Sequence, residues 1–369
     1  MITGANGFIG RNLTYYLSQN TQFEIINFTR QNEFSQLPEL VHQADSIIHL
    51  AGVNRPIDDG MFELDNLQLT SLLCKAVRRG DAPTPLIFAS STQALMNNDY
   101  GASKRSAEEA ILNLKAETGN QVHILRLPNV FGKWAKPNYN SVVATFCHNI
   151  ANGLPIKINQ PDKKLELLYI DDLVETLTGV ICNANESQTF ITAGPTYEIT
   201  VGELASQLNK FNNIQKNLEV ESVGTGLIRA LHSTFVSYLP KTRFKYLLPM
   251  HSDKRGNFVE MVKTRNSGQI SYFTSKPGIT RGGHYHNTKT EKFLVIKGKA
   301  LFRFKNLFNN EVYSLVCSEN VPEIVETVPG WAHDITNIGK EDLICMLWAN
   351  EVFNPTKPDT YPIQNISEG

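Results

Sequence analysis

Up to about residue 240 this chain alternates short apolar runs with longer stretches of helical periodicity, and from about Leu248 onward the helical stretches stop. "FEIINFT", "SIIHLAG", "PLIFASS" and "VHILRLP" read as buried strands, rich in Ile, Leu and Phe and close to turn residues. Between them "NLQLTSLLCKAVRRG" and "YGASKRSAEEAILNLKAETG" carry apolar residues at helical spacing. Strand and helix repeated in this way predict a parallel sheet covered on both faces. Past Leu248, "GNFVEMVKT", "QISYFTS", "EKFLVIKG", "ALFRFKN", "EVYSLVC" and "DLICMLWAN" are short strands separated by Gly, Pro, Asn and Asp. That texture predicts an antiparallel sandwich or barrel. The switch falls within "YLPKTRFKYLLPMHSD", which gives domains over 1–243 and 248–369. A chain of 369 residues is long enough for each to bury its own core.

Charge and composition narrow the partners. Thirty-five basic against 36 acidic residues leave a net charge of −1, so no global field draws the chain to nucleic acid or an anionic membrane. No apolar run approaches the roughly 20 residues of a membrane span, and the first residues lack the basic and apolar regions of a signal peptide. The five cysteines are odd in number and never fall in a C-x-x-C pair, which fits reduced thiols and a cytoplasmic setting.

"TGANGFIG" places Gly4, Gly7 and Gly10 where a strand turns into a helix opening with Phe8 and Ile9. Glycine lets the backbone approach a pyrophosphate, and the helix N-terminus offers it unpaired N–H groups. Only Met1, Ile2 and Thr3 precede the first glycine, so the first strand is trimmed or the natural start lies upstream. At the end of the second strand, where an acidic residue would hold ribose hydroxyls, stand Thr29 and Arg30; a cation there suits a 2′-phosphate and favours NADPH over NADH. Farther on, Tyr100 and Lys104 lie four apart on one helical face. An ammonium beside a phenol lowers its pKa from about 10 towards working pH, so Tyr100 can exchange a proton with a carbonyl oxygen. Ser91, at the preceding strand end, can donate to the same oxygen.

These residues resemble the short-chain dehydrogenase/reductase superfamily, in particular its extended nucleotide-sugar branch. "HLAG" (His49 to Gly52), "DNLQLT" with Asn66, "RLPNVFG" (Arg126 to Gly132) and "LYIDDLVE" around Asp171 and Asp172 extend the likeness over most of residues 1–240. The resemblance implies a Rossmann-type doubly wound α/β fold with Ser91, Tyr100 and Lys104 as the catalytic set. It implies a cofactor held by Gly4, Gly7, Phe8, Ile9, Gly10, Arg30, Leu50, Ala51, Gly52, Tyr100 and Lys104. It also implies a nucleotide-diphosphate sugar as substrate, met by Asn129 and by Lys133, Lys136 and Asn140 of "KWAKPNYN"; for the two lysines, plain solvation is an equal alternative.

In the second domain, "GITRGGHYHNTKTEKFLVIKG" puts His284 and His286 two apart on a strand, so both imidazoles face one side. Glu291 opens the next strand, and "PGWAHDITN" adds His333 and Asn337. Three imidazoles and a carboxylate suit Zn²⁺ or another divalent transition metal. The constellation resembles both sequence motifs of the cupin superfamily, which implies an all-β, jelly-roll-like barrel; the second motif departs in having "PG" for the usual P-x-G. "DKRGNFVE" and "TRGGHY" are also similar to the sugar-nucleotide 3,5-epimerase branch of the cupins. That branch makes His284 the general base, a role in conflict with ligation because a coordinated lone pair cannot take a proton.

The two halves have a chemical reason to be joined. A proton next to a ketone is removable because its charge spreads onto oxygen as an enolate, and reduction of the ketone ends that acidity. A 4-keto sugar must be epimerised at C3 before reduction at C4. The whole chain resembles bifunctional capsular polysaccharide synthesis enzymes. The resemblance implies C3 epimerisation of a UDP-4-keto-6-deoxy-N-acetylhexosamine, NADPH-dependent C4 reduction to UDP-2-acetamido-2,6-dideoxy-L-talose towards UDP-N-acetyl-L-fucosamine, and a homodimer. The competing reading is an NAD-dependent 4-epimerase or dehydratase whose barrel only mediates dimerisation.

Overall fold

The computed structural model describes the chain apart from residues 20–21, 53–60, 81–82, 184–186, 249, 254–255, 260, 265–267, 352–353, 364–365 and 367–369, and gives only the backbone of 61–66, 250–253, 256–259 and 263. The side chains of Asn66 and of the "DKRGNFVE" stretch therefore lie outside the described residues. The helices are α1 (Phe8–Ser18), α2 (Leu37–His42), α3 (Met61–Arg78), α4 (Asp99–Thr118), α5 (Val142–Ala151), α6 (Ile170–Cys182), α7 (Val201–Asn217) and α8 (Gly226–Ser237). None among the described residues is long and apolar enough to cross a membrane. The chain divides into two compact units, residues 1–131 with 165–199, and 132–164 with 200–369.

The first unit is built on five parallel strands, β1 (Ile2–Thr3), β2 (Asn27–Phe28), β3 (Ile47–His49), β4 (Leu86–Ser91) and β5 (Val122–Leu127), in the order β2-β1-β3-β4-β5. The sheet is fully buried along Ile47, Leu86, Ile87, Val122 and Ile124, and Leu73, Val77, Ile111 and Leu114 of α3 and α4 pack into the same core. The second expected strand shrinks to two residues because its sheet partner β1 has only two to offer. Strand order reverses between β1 and β3, the point at which a doubly wound sheet opens a crevice at its carboxyl edge. A further small sheet has the order β6 (Asn129–Phe131), β7 (Lys164–Tyr169) and β8 (Thr196–Thr200).

The second unit contains β9 (Glu219–Val220), β10 (Lys245–Leu247), the hairpin β11 (Met250–Asp253) and β12 (Gly256–Val259), and β13 (Lys263–Thr264), which pairs with β9. Then follow β14 (Gln269–Ser275), β15 (Thr280–Tyr285), β16 (Glu291–Lys297), β17 (Lys299–Asn306), β18 (Val312–Ser318), β19 (Glu323–Glu326), β20 (Trp331–Asn337), β21 (Leu343–Ala349) and β22 (Tyr361–Pro362). They form two five-stranded antiparallel sheets, β10-β19-β16-β21-β14 and β18-β17-β20-β15-β22, the jelly-roll-like architecture of a cupin. Phe293, Phe302, Phe304, Ile335, Cys345 and Trp348 are buried in its core.

The compact division does not coincide with the change of sequence texture at 243–248. Phe244 lies in that stretch, yet its ring sits 5.3 Å from Trp331, 5.7 Å from Phe304 and 6.0 Å from Tyr313. Arg243 beside it donates to Asn212 Oδ1 (2.7 Å), Gln215 Oε1 (2.9 Å) and the Ala151 carbonyl (3.1 Å). A junction with an aromatic anchor on one side and a guanidinium clamp on the other packs α5 and α7 with the barrel.

Gly10 shows how closely the β1–α1 turn is built: a Cβ there would lie 2.3 Å from the Gly4 carbonyl oxygen. Gly10→Ala is expected to destabilise the protein by about 1–3 kcal/mol and weaken dinucleotide binding about tenfold or more. Chemical denaturation and titration calorimetry with a nicotinamide dinucleotide measure the two effects.

Candidate functional site

The crevice at the switch point is lined by the ends of β1 and β3. Gly4 has φ +70°, and a Cβ on it would stand 2.7 Å from the Ala51 amide nitrogen, so the two turns meet backbone to backbone. The Gly7 amide donates to the Gly4 carbonyl (2.8 Å), and Gly7 caps α1 without a side-chain hydrogen bond. With no acidic residue in its first turn, α1 presents the N–H groups of Phe8 and Ile9 to an incoming anion. Leu50, Ala51 and Gly52 follow β3, and exposed Arg30 follows β2 by two residues. A cradle that any Cβ would fill fits a dinucleotide.

Under this crevice runs a buried chain of hydrogen bonds: Thr3 Oγ1 to His49 Nδ1 (2.7 Å), and His49 Nε2 to Thr70 Oγ1 (2.9 Å). Burial, aided by the charge on Lys104, pushes His49 down to about 3, so it is neutral and serves as a brace.

Ser91 ends β4, and Tyr100 and Lys104 stand on the first turns of α4. They are brought together by Gly101. A Cβ there would meet the Gln93 and Met96 carbonyls at 2.3 and 2.7 Å, so the turn after Ser91 lies directly on α4. Arg105 clasps the same turn through the Ala94 (2.8 Å) and Met96 (2.7 Å) carbonyls. Tyr100 and Ser91 are hydrogen-bonded. Lys104 Nζ donates to the Ala89 carbonyl (3.2 Å) and lies 6.0 Å from the Tyr100 ring centre.

The expected fall in the Tyr100 pKa is not what this environment produces. Burial raises the phenol, with the Ser91 hydrogen bond opposing. Burial also lowers Lys104 to about 8 against the pull of Glu108, so its charge is weakly held.

The residues expected to meet substrate are divided. Asn129, exposed, opens β6 in the first unit and donates to the Glu166 carbonyl (3.2 Å). Lys133, Lys136 and Asn140 belong to the second unit. Lys133 is buried with its ammonium 5.5 Å from the Trp134 ring; Lys136 lies 5.4 Å from the Tyr139 ring, and Asn140 is exposed.

In the barrel, the four expected ligands converge: one donor atom each of His284, His286, Glu291 and His333 lies within 4.8 Å of the others. Positive φ at Gly282 (+96°) and Gly283 (+74°) accompanies a bulge that sets His284 directly across from His333. The His284 ring centre is 4.7 Å from that of His333 and 5.0 Å from that of His286. Glu291 Oε2 lies 3.1 Å from His286 Nε2 and 3.5 Å from His333 Nε2, while Lys289 Nζ lies 3.3 Å from Oε1. Burial alone would raise the Glu291 carboxyl, but the two imidazoles outweigh it and hold it well below the usual range. Burial, then the charges of His333 and His286, lower His284 to about 3. The buried Nδ1 of His333 finds no hydrogen-bond partner among the described residues. Three imidazoles around one carboxylate fit a divalent transition metal.

Residues 1–194 match the family described as NAD dependent epimerase/dehydratase, and residues 251–361 match the polysaccharide biosynthesis C-terminal domain. A UDP-2-acetamido-2,6-beta-L-arabino-hexul-4-ose reductase of Pseudomonas aeruginosa is 52% identical over 369 residues, covering 100% of this chain and 99% of that protein. The chain belongs to the NAD dependent epimerase/dehydratase family. Membership carries a nicotinamide dinucleotide cofactor. The crystal structure of capsular polysaccharide assembling protein CapF from Staphylococcus aureus is similar over 99% of both chains, with 39% identity and a TM-score of 0.68. UDP-glucuronic acid 4-epimerase from Bacillus cereus, at 17% identity and a TM-score of 0.52 over 57% of this chain and 82% of that one, shares the fold alone.

Sequence reasoning missed Glu108, four residues beyond Lys104 on α4. Its buried carboxylate accepts from Ser90 Oγ (2.5 Å) and is gripped by Arg126 of β5 through Nη2 (2.6 Å) and Nε (3.0 Å). The helical spacing from Tyr100 and Lys104 was its signal. Truncating it strips β4, β5 and α4 of a shared charged partner. Glu108→Ala is expected to cost about 3 kcal/mol, read as a shifted urea midpoint with unchanged slope.

Proposed function

We propose that the chain is a bifunctional nucleotide-sugar enzyme. Its barrel epimerises a UDP-4-keto-6-deoxy-N-acetylhexosamine at C3. Its Rossmann-type domain then reduces C4 with NADPH, giving UDP-2-acetamido-2,6-dideoxy-L-talose on the route to UDP-N-acetyl-L-fucosamine. In functional terms the domains are residues 1–243 and 248–369, and the enzyme works as a cytoplasmic homodimer. What carries the reading is the presence, in one chain, of a dinucleotide cradle with its Ser91–Tyr100 pair and of a four-donor cluster in the barrel. Likeness to the Pseudomonas aeruginosa reductase along the entire chain supports it.

In the barrel, His284 is half-buried while His286, Glu291 and His333 are buried. That difference favours His284 for the C3 proton and the other three for Zn²⁺ or a similar ion. Its lowered pKa keeps the imidazole neutral, with a lone pair free, and at the same time weakens it as a base. The metal, when bound, supplies a Lewis acid.

In the reductase domain, NADPH supplies the hydride for C4. Tyr100 gives its proton to the C4 oxygen while Ser91 donates a hydrogen bond to the same atom. Lys104 stands behind Tyr100 as the source of positive charge. Arg30 takes the 2′-phosphate, and Asn129, Lys133, Lys136 and Asn140 take the UDP-sugar.

Solvent deuterium separates the steps. In D₂O with the keto sugar and NADPH, Tyr100→Phe should stop loss of absorbance at about 340 nm yet leave deuterium entering next to the ketone. His284→Ala should stop the labelling; labelling that persists in this variant removes the barrel from the reaction. A wild-type enzyme that labels nothing and consumes no NADPH leaves only the single-activity reading.

Gly101→Ala tests the Ser91–Tyr100 alignment. Pushing the Gln93 turn away from α4 should slow NADPH oxidation roughly 100-fold while C3 labelling continues at the wild-type rate.

A further inference from the structure

The "PDTY" segment, Pro358 to Tyr361, has no part in the reading above, yet it is threaded along the ligand strand of the barrel. Tyr361 pairs with Tyr285 and Pro362 with His284, and the Ile363 amide donates to the Gly283 carbonyl (2.9 Å). Asp359 reaches the loop that joins His286 to Glu291. Its carboxylate accepts from three consecutive backbone amides, Asn287 (2.9 Å), Thr288 (2.7 Å) and Lys289 (2.7 Å), and from Thr288 Oγ1 (3.0 Å). The Asp359 main-chain carbonyl faces His286 Nδ1 within hydrogen-bonding distance. Next in sequence, Thr360 Oγ1 accepts from Lys289 Nζ (3.1 Å), the ammonium beside Glu291.

These contacts do more than tie down a tail. A carbonyl can only accept, so His286 Nδ1 carries a proton and donates it to Asp359. That leaves Nε2 as the nitrogen that meets the cluster, 3.1 Å from Glu291 Oε2, and the one available to a metal. A four-residue loop between two ligands would otherwise expose unpaired amides, and its conformations would scatter both donors. One carboxylate satisfies three of those amides at once.

We propose that Asp359 is the positioning residue of the barrel's metal centre. Through its carbonyl it sets the His286 tautomer, and through its carboxylate it holds the loop 287–289 that spaces His286 from Glu291. The proposal rests on the metal-binding reading given under the proposed function.

The test is zinc affinity of the full-length protein, measured by competition with a chromogenic chelator, with thermal melting of the metal-free form alongside. Asp359→Ala should raise the zinc dissociation constant about 10–100-fold. Asp359→Asn, which keeps the shape and one acceptor oxygen, should raise it by less. Asn337→Ala is the control: it removes hydrogen bonds to the Ser275 and Glu341 carbonyls and from the Gly339 amide, and belongs to no ligand contact described above. It should lower the melting temperature and leave zinc affinity at the wild-type value. An Asp359→Ala constant within twofold of wild type overturns the proposal, as does an equal loss in Asn337→Ala. If Asp359→Ala does not fold, Asp359→Asn decides by the same criterion. A wild-type protein that binds no zinc, manganese, nickel or cobalt overturns the metal reading itself, and this proposal with it.

Discussion

A carboxylate closed off from water must be answered by positive charge or hydrogen-bond donors, and Glu291 organises one end of the barrel on those terms. His286 and His333 approach one of its oxygens and Lys289 the other. To assemble them, the chain draws on β16, β20 and the loop after β15. The bulge at Gly282 and Gly283 is part of the same arrangement, because without the extra residue His284 would not face His333. An ion pair of this kind adds little net stability to a fold. Its value is that removing any member leaves the others unpaired, which pins the geometry of the site.

The first unit repeats the device with Glu108. That carboxylate is shared by Ser90 on β4 and Arg126 on β5, and Arg126 lies with its guanidinium 4.8 Å from the Phe190 ring. Ser90 precedes Ser91, and Glu108 is one turn beyond Lys104 on α4. The strand end and the helix that carry the Ser91–Tyr100 hydrogen bond are therefore held by a buried charge nearby. Glycine completes the alignment from the other side, since only a residue without Cβ lets the turn after Ser91 rest on α4 at Gly101.

Neither site is built from residues specialised for chemistry alone. Lys104 is pulled down by burial, and Tyr100 is pushed up by it. A Tyr–Lys pair at helical spacing is therefore not by itself an activated phenol. On the proposed reading the pair does its work with NADPH and a carbonyl beside it, whose charges belong to the same balance.

Much of this was legible in the linear sequence. Alternating apolar runs set the parallel sheet, and their continuation without helices set the barrel. The glycines of "TGANGFIG" mark a turn where a Cβ would collide, and that collision is local enough to read from spacing. The His-x-His and Glu spacing foretold which residues form the cluster but not how they meet: His284 lies on β15, His286 just past its end and Glu291 on β16, so one strand's periodicity does not align them. Three features lay beyond such reading. The second strand is short because its partner is short, the texture change at 243–248 is not the compact boundary because Phe244 packs among barrel aromatics, and Asp359 caps a loop some 70 residues away. Each depends on contacts between residues distant along the chain. Spacing records which side chains share a face; only folding decides which strand, ring or carboxylate comes to lie against it.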